Sequence, residues 1–145
     1  MATAEIFKIV NMIAMLCWVL LIVAPRWVVT RRVVISGAVV LLFSALYLGY
    51  FISTSSDFNP DSFSTLENVM ELFTNPESVL MGWLHYLAFD LFVGAWIVSN
   101  AQQHGISHWA IIPCLLLTFM LGPVGCLLYF IVRAIFMKGK MVNNF

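Results

Sequence analysis

The sequence predicts an all-α integral membrane protein: a four-transmembrane-helix bundle with a short amphipathic surface helix between spans 2 and 3. Three observations carry this. Of 145 residues, 62% are hydrophobic and 10% charged, whereas a soluble domain holds about 45–50% apolar and about 25% charged residues. Four apolar segments are each long enough to cross a bilayer core of about 30 Å. The charges gather between these segments, and a single membrane domain takes up residues 1–145.

The first span covers about residues 5–24 and stops at Pro25-Arg26. Glu5 and Lys8 lie inside it, and the basic start, brief apolar core and cleavage site of a signal peptide are missing, so it reads as a retained span. The second, residues 33–53, begins just after Arg31-Arg32, which leaves a short, wholly positive turn. The connection from Thr54 to Glu77 is the opposite: Asp57, Asp61, Glu67, Glu71 and Glu77 lie in it, with no Lys or Arg. In its second half Ser64 or Thr65 can cap and Glu67 sits in the first turn. Leu66, Val69, Met70 and Phe73 then recur at spacings of three and four before Asn75-Pro76. This predicts a surface helix near Leu66 to Thr74, either a cover over the bundle mouth or a lid over a substrate entrance. The third span, residues 79–100, ends in Gln102, Gln103, His104 and Gly105, and the fourth covers residues 109–136.

Seven basic residues balance seven acidic ones, leaving no basic stripe for nucleic acid. Cys17, Cys114 and Cys126 sit in apolar runs without C-x-x-C spacing and read as packing residues. Neither a metal-ligand set nor a glycine-rich nucleotide loop is visible, so no metal and no cofactor is expected. Orientation is contested. With four spans, Arg26, Arg31 and Arg32 share a side with the Gln102–His108 turn, against Lys8, Arg133, Lys138 and Lys140 on the other. The Arg26–Arg32 turn is assigned to the cytoplasm because it is short and wholly positive.

Asp90 is the one acid in the middle of a span, where a carboxylate costs about 2.5–3.5 kcal/mol on insertion scales and must find partners or a proton. Gly82, Tyr86, Asp90 and Gly94 share one helical stripe. His85 lies roughly 140° round from Asp90, in line with Phe89, Phe92 and Trp96. In the fourth segment Pro123 follows Gly122 and cannot donate to the carbonyl of Phe119, which predicts a kink. Antiparallel spans joined near Gly105 put Asp90 level with Met120, His85 with Gly125 and Glu77 with Arg133. A broken helix thus faces the only buried acid. Asn11, Tyr47, Tyr86 and Tyr129 fall at the midplane or in the half nearer the acidic connection, which predicts a pocket apolar at its centre and polar at one mouth. Trp83, Phe89, Phe92, Trp96, Phe119, Gly122 and Pro123 would complete its lining. The plainer reading makes Asp90 and His85 interhelical hydrogen-bonding groups and Pro123 a packing kink.

The string from Gly82 to Trp96, GWLHYLAFDLFVGAW, the string from Pro113 to Gly125, PCLLLTFMLGPVG, and Leu127-Leu128-Tyr129 with Arg133 resemble the abscisic-acid-deficiency-four family of small membrane proteins. The N-terminal half resembles it in hydropathy and span count. Plant-type members often carry Arg at the position of Ala95. The family is tied in plants to neoxanthin formation, and the resemblance implies a cofactor-free isomerase acting on a carotenoid or related isoprenoid. Opening an epoxide to an allenic alcohol needs one acid for the oxygen and one base for a polyene proton. A carboxyl in apolar surroundings tends to keep its proton, which suits Asp90 as acid, with His85 as base and Tyr86 as orienting donor. Two other classes stay open: a non-catalytic carotenoid- or isoprenoid-binding protein using the same cavity, and a structural or assembly subunit. The expected partners are the lipid bilayer and the hydrophobic ligand, and a homo-oligomer is left open.

Overall fold

The computed structural model describes residues 3–54 and 59–137, and all regular structure among them is helical. Asp57, Lys138 and Lys140 lie outside the described residues. Helix α1, Thr3–Val23, is an unbroken, mainly apolar helix of 21 residues, about 31 Å long at 1.5 Å per residue. The Thr30 hydroxyl donates to the Ala24 carbonyl at 2.7 Å, occupying an acceptor that the end of α1 leaves open. A π-helical turn, Thr30–Ile35, then carries Arg31 and Arg32 on its exposed side. Gly37, at φ 84°, separates it from α2, Ala38–Ser53. The second predicted span is therefore two helical pieces meeting at a left-handed glycine.

The acidic connection holds a 3-10 turn, Pro60–Phe63, and α3, Leu66–Leu72. Thr65 caps α3, its hydroxyl accepting from the Asn68 amide at 3.2 Å, as the sequence predicts. Helix α4, Pro76–Gln103, starts with Pro76 in its first turn, and the Asn75 side chain accepts from the Glu77 amide at 2.8 Å. Proline at that position has no donor to lose, so Asn75-Pro76 stops one helix and opens the next. At 28 residues, α4 is the axis of the fold, packed by α1, α2 and the last two helices, α5 (His108–Leu121) and α6 (Pro123–Phe136). Leu84, Leu91, Ile97 and Val98 on it are fully buried. The Trp18 indole of α1 lies on Gly94, where a Cβ would come within 2.6 Å of it. Nearer the acidic connection, Trp83 Nε1 donates to Asn11 Oδ1 at 3.1 Å. α1 and α2 pack on α4 rather than forming the main contact with each other.

The fourth segment departs from expectation. Residues 109–136 are not one kinked span but two helices of 14 residues each, folded back on one another at Gly122 (φ 32°, ψ −86°). Gly125 of α6 lies against the backbone of Thr118 and the carbonyl of Cys114 in α5. In a continuous helix Gly125 and Cys114 would stand about 16 Å apart along the axis. The Tyr129 hydroxyl donates to Asn100 Oδ1 at 2.7 Å, and Trp96 packs on Tyr129 and Phe130 with ring centroids 5.4 and 5.6 Å away. Helix α6 thus returns toward the α4–α5 turn. Asp90 is level with the break, as the register predicts, but the pairings of His85 with Gly125 and Glu77 with Arg133 are overturned, and Tyr129 belongs to the half away from the acidic connection. The physical reason is the Gly122 backbone. A proline alone bends a helix, whereas a left-handed glycine before it lets Pro123 begin a new helix in another direction.

Each half of the hairpin is about 21 Å long, short of the roughly 30 Å core. Among the described residues two helices, α1 and α4, are long and apolar enough alone to cross a membrane. The described helices therefore do not confirm a four-span bundle: α1 and α2 pack around α4, and a half-length hairpin stands where one long fourth helix was expected.

Asn100 and Tyr129 are 5% and 0% exposed, so the bond between them is the polar clamp of the hairpin. Tyr129→Phe leaves the Asn100 oxygen buried without this donor, and the expected loss is about 1–3 kcal/mol of stability. Thermal unfolding in detergent reads this, and a melting temperature equal to the parent's would show that the clamp contributes nothing.

Candidate functional site

Two polar sites lie on different faces of α4. The first is a cavity of about 780 Å³ between α2, α3 and α4 on the side of the acidic connection. From α2 come Tyr47, Phe51 and Thr54, one turn apart, and from α4 come Ser78, Met81, Gly82 and His85. Both sets follow helical spacing, so each helix presents one face. The α3 cover contributes Glu71, Leu72 and Phe73, with Phe63, Asn59, Asn68, Asn75 and Glu77 around the mouth. Gly82 lets the Phe73 ring close down on α4, since a Cβ there would lie 2.7 Å from the ring as it stands. His85 is exposed at the edge of this space, 6.2 Å from the Tyr47 ring and stacked on Phe89 at 4.6 Å. Among the described residues the charged groups at the cavity are carboxylates, Glu71 and Glu77, and neither Lys nor Arg lines it.

The second site is the hairpin tip. Asp90 points at the break, where a Cβ on Gly122 would lie 2.6 Å from Asp90 Oδ1. The other carboxyl oxygen, Oδ2, is buried without a hydrogen-bond partner among the described residues. Tyr86, one turn earlier on the same stripe, sits beside the carboxyl, and its hydroxyl donates to the Met120 carbonyl at 3.5 Å in the last turn of α5. Such carbonyls have no amide of their own helix to accept from.

The sequence-predicted residues therefore divide. Asp90, Tyr86, Gly122 and Pro123 meet at the hairpin tip; His85 and Tyr47 meet at the cavity. The proposed acid and base share no contact. Asn11 is spent on the α1–α4 bond to Trp83, which also stacks on Tyr86 at 5.3 Å. Phe119 packs on Trp18 at 5.5 Å, and Trp96 packs on the hairpin. Phe89 and Phe92 are 59% and 55% exposed and continue outward from His85 along α4. Sequence reasoning missed Phe51, Thr54, Ser78, Met81 and the α3 residues. The signal was present in the Tyr47-Phe51-Thr54 and Ser78-Met81-Gly82-His85 spacings, but it is the same spacing that ordinary core packing uses. Among the described residues no three His, Cys, Asp or Glu side chains gather as metal ligands. The three cysteines are unpaired, Cys17 and Cys114 buried and Cys126 half-buried.

An apolar helical chain with two helices long enough to cross a membrane, a carboxyl at the depth of a broken helix and a histidine-edged cavity beneath α3 has the character of a small membrane protein. The chain belongs to the ABA DEFICIENT 4-like family, whose model matches residues 5–129. No curated protein and no solved structure matches it.

Proposed function

We propose that this protein binds a carotenoid or related isoprenoid in the cavity edged by His85 and isomerises it by proton transfer, without a cofactor. The observation that carries the reading is the cavity itself, with an aromatic and apolar wall, a polar mouth, and a histidine that continues onto the exposed Phe89–Phe92 face. Family membership supports the ligand class. In the proposed reaction an acid gives its proton to an epoxide oxygen as a C–O bond opens, and a base takes a proton from the adjoining polyene. The π electrons shift to the allene, and no atoms or electrons are gained or lost. His85 is the base. Asp90 is the acid, acting from the hairpin tip with Tyr86 beside it, so the ligand has to reach round the Tyr86 edge of α4. In the membrane the Arg26–Arg32 turn faces the cytoplasm.

The separation of His85 from Asp90 favours a second reading, a binding protein that uses the cavity alone. One experiment divides the two. The protein is produced in cells that make epoxy-carotenoids, and both the pigment retained after detergent purification and the carotenoid profile of the cells are recorded. An allenic or otherwise isomerised product beyond the vector control supports the enzyme. Retained pigment with an unchanged profile supports the binder, and neither pigment nor product would defeat both.

A further inference from the structure

Charge in this protein is sorted by the hairpin. The end of α1, the π-helical turn, the end of α4 and the start of α5 form one end of the bundle, tied together where the His108 Nε2–H donates to the Ile22 carbonyl at 2.7 Å. Arg26, Arg31 and Arg32 lie there, all exposed. Tyr129 is bonded to Asn100, three residues before the end of α4, and Arg133 follows it by one turn in the direction that leads away from Gly122. The fold-back therefore brings Arg133 to the arginine end. Among the described residues this end carries four arginines and no acid, while Glu5, Lys8, Asp61, Glu67, Glu71 and Glu77 lie toward the other. A straight fourth helix would have sent Arg133 to the acidic side and left the arginines divided.

Two short helices tucked against α4 cannot each cross a hydrocarbon core of about 30 Å, and backbone broken at depth is tolerated where protein covers it. Asp90 packs against that break at Gly122, and Thr118 and Cys114 pack against Gly125 just beyond it. The π-helical turn with α2, by contrast, runs from the arginine end back to the acidic connection. Basic residues in short connections select the cytoplasmic side, and arginines at a membrane face are attracted to anionic headgroups.

We infer that the chain crosses the bilayer three times and enters it once more as a re-entrant hairpin, with the start of α1 and the end of α6 on opposite sides, and that its four-arginine end is a docking surface for anionic phospholipid headgroups of the cytoplasmic leaflet. This rests on membrane insertion and not on the isomerase reading, so either stands if the other fails.

The test uses single cysteines at Ala4, Val28, Ser64 and Met137 in a chain with Cys17, Cys114 and Cys126 replaced by alanine, made in a bacterial inner membrane and treated with a membrane-impermeant maleimide. Ala4→Cys and Ser64→Cys should label in intact spheroplasts, and Val28→Cys and Met137→Cys only after permeabilisation. Labelling of Met137→Cys together with Ser64→Cys would restore four straight spans, and labelling of Val28→Cys from outside would overturn the orientation. Should the cysteine-free chain not accumulate, a green fluorescent protein fused after Phe145 and, in a second chain, inserted after Ser64 decides the topology: a bright Phe145 fusion with a dark Ser64 insertion supports the hairpin, and equal signals overturn it. For the docking surface, the parent and an Arg31→Gln, Arg32→Gln, Arg133→Gln variant are melted in nanodiscs of phosphatidylcholine with and without phosphatidylglycerol. The anionic lipid should raise the parent's melting temperature and leave the variant's nearly unmoved; an equal response in both would overturn the lipid contact.

Discussion

Gly125→Val should unfold the hairpin more thoroughly than any other single glycine replacement in the chain. The β-carbon it adds would be driven into the Thr118 amide nitrogen, the Thr118 hydroxyl and the Cys114 carbonyl, and two of these three are backbone atoms that no rotamer change can move aside. Overpacking of a core typically costs about 1–3 kcal/mol when side chains can give way. Here the helices themselves must part, carrying the Tyr129–Asn100 bond and the Trp96 contacts with them, so the expected loss lies at the upper end, about 3 kcal/mol. Gly49→Ala is the matched control, since a Cβ there meets nothing within 4 Å and the position is helical. Thermal unfolding of both variants in detergent reads the difference. Equal melting temperatures would mean that the α5–α6 contact does not hold the fold together.

Asp90→Asn should reduce isomerised product by at least about 100-fold, the lower range for removing a general acid, while the protein keeps its pigment and its melting temperature. Asparagine has the size of aspartate and can still fill the space against Gly122, but it has no carboxyl proton to give. One carboxyl oxygen is already without a hydrogen-bond partner among the described residues, so little native bonding is lost. His85→Gln should act differently because His85 edges the cavity: turnover falls and pigment retention weakens with it. The two side chains share no contacts, so their effects on stability should add in the double variant. Undiminished product from Asp90→Asn would remove the acid from the proposed mechanism and leave His85 and the cavity as a binding site. A large fall in melting temperature would instead make Asp90 a structural bond between α4 and the hairpin.

Much of this fold is legible in one dimension because its determinants are local. The apolar runs gave α1 and most of α4, Thr65 and the Leu66-Val69-Met70-Phe73 spacing gave α3, and Asn75-Pro76 marked where α3 stops. The level of Asp90 with Met120 also followed from the tight turn at Gly105. What hydropathy cannot register is direction. Residues 109–136 are equally apolar whether they continue through the bilayer or double back, and the outcome hangs on one backbone conformation at Gly122 and on Gly125 fitting against another backbone. For the site, periodicity set His85 and Asp90 on different faces of α4, whereas which neighbours each face meets depends on the packing of α2, α3 and the hairpin. The chain brings each to its own neighbours instead.

The half-length of the hairpin has a kinetic consequence. Its tip stops at the depth of Asp90, and toward the acidic connection His85 and Phe89 remain open on their side of α4. The proposed ligand, approaching along that face, would come sideways out of one leaflet without passing through water. Its availability is then set by mole fraction in the lipid, not by molarity in the assay. Occupancy at fixed total ligand should fall as inert phospholipid is added, and a KM quoted per volume of solution would describe the bilayer as much as the protein.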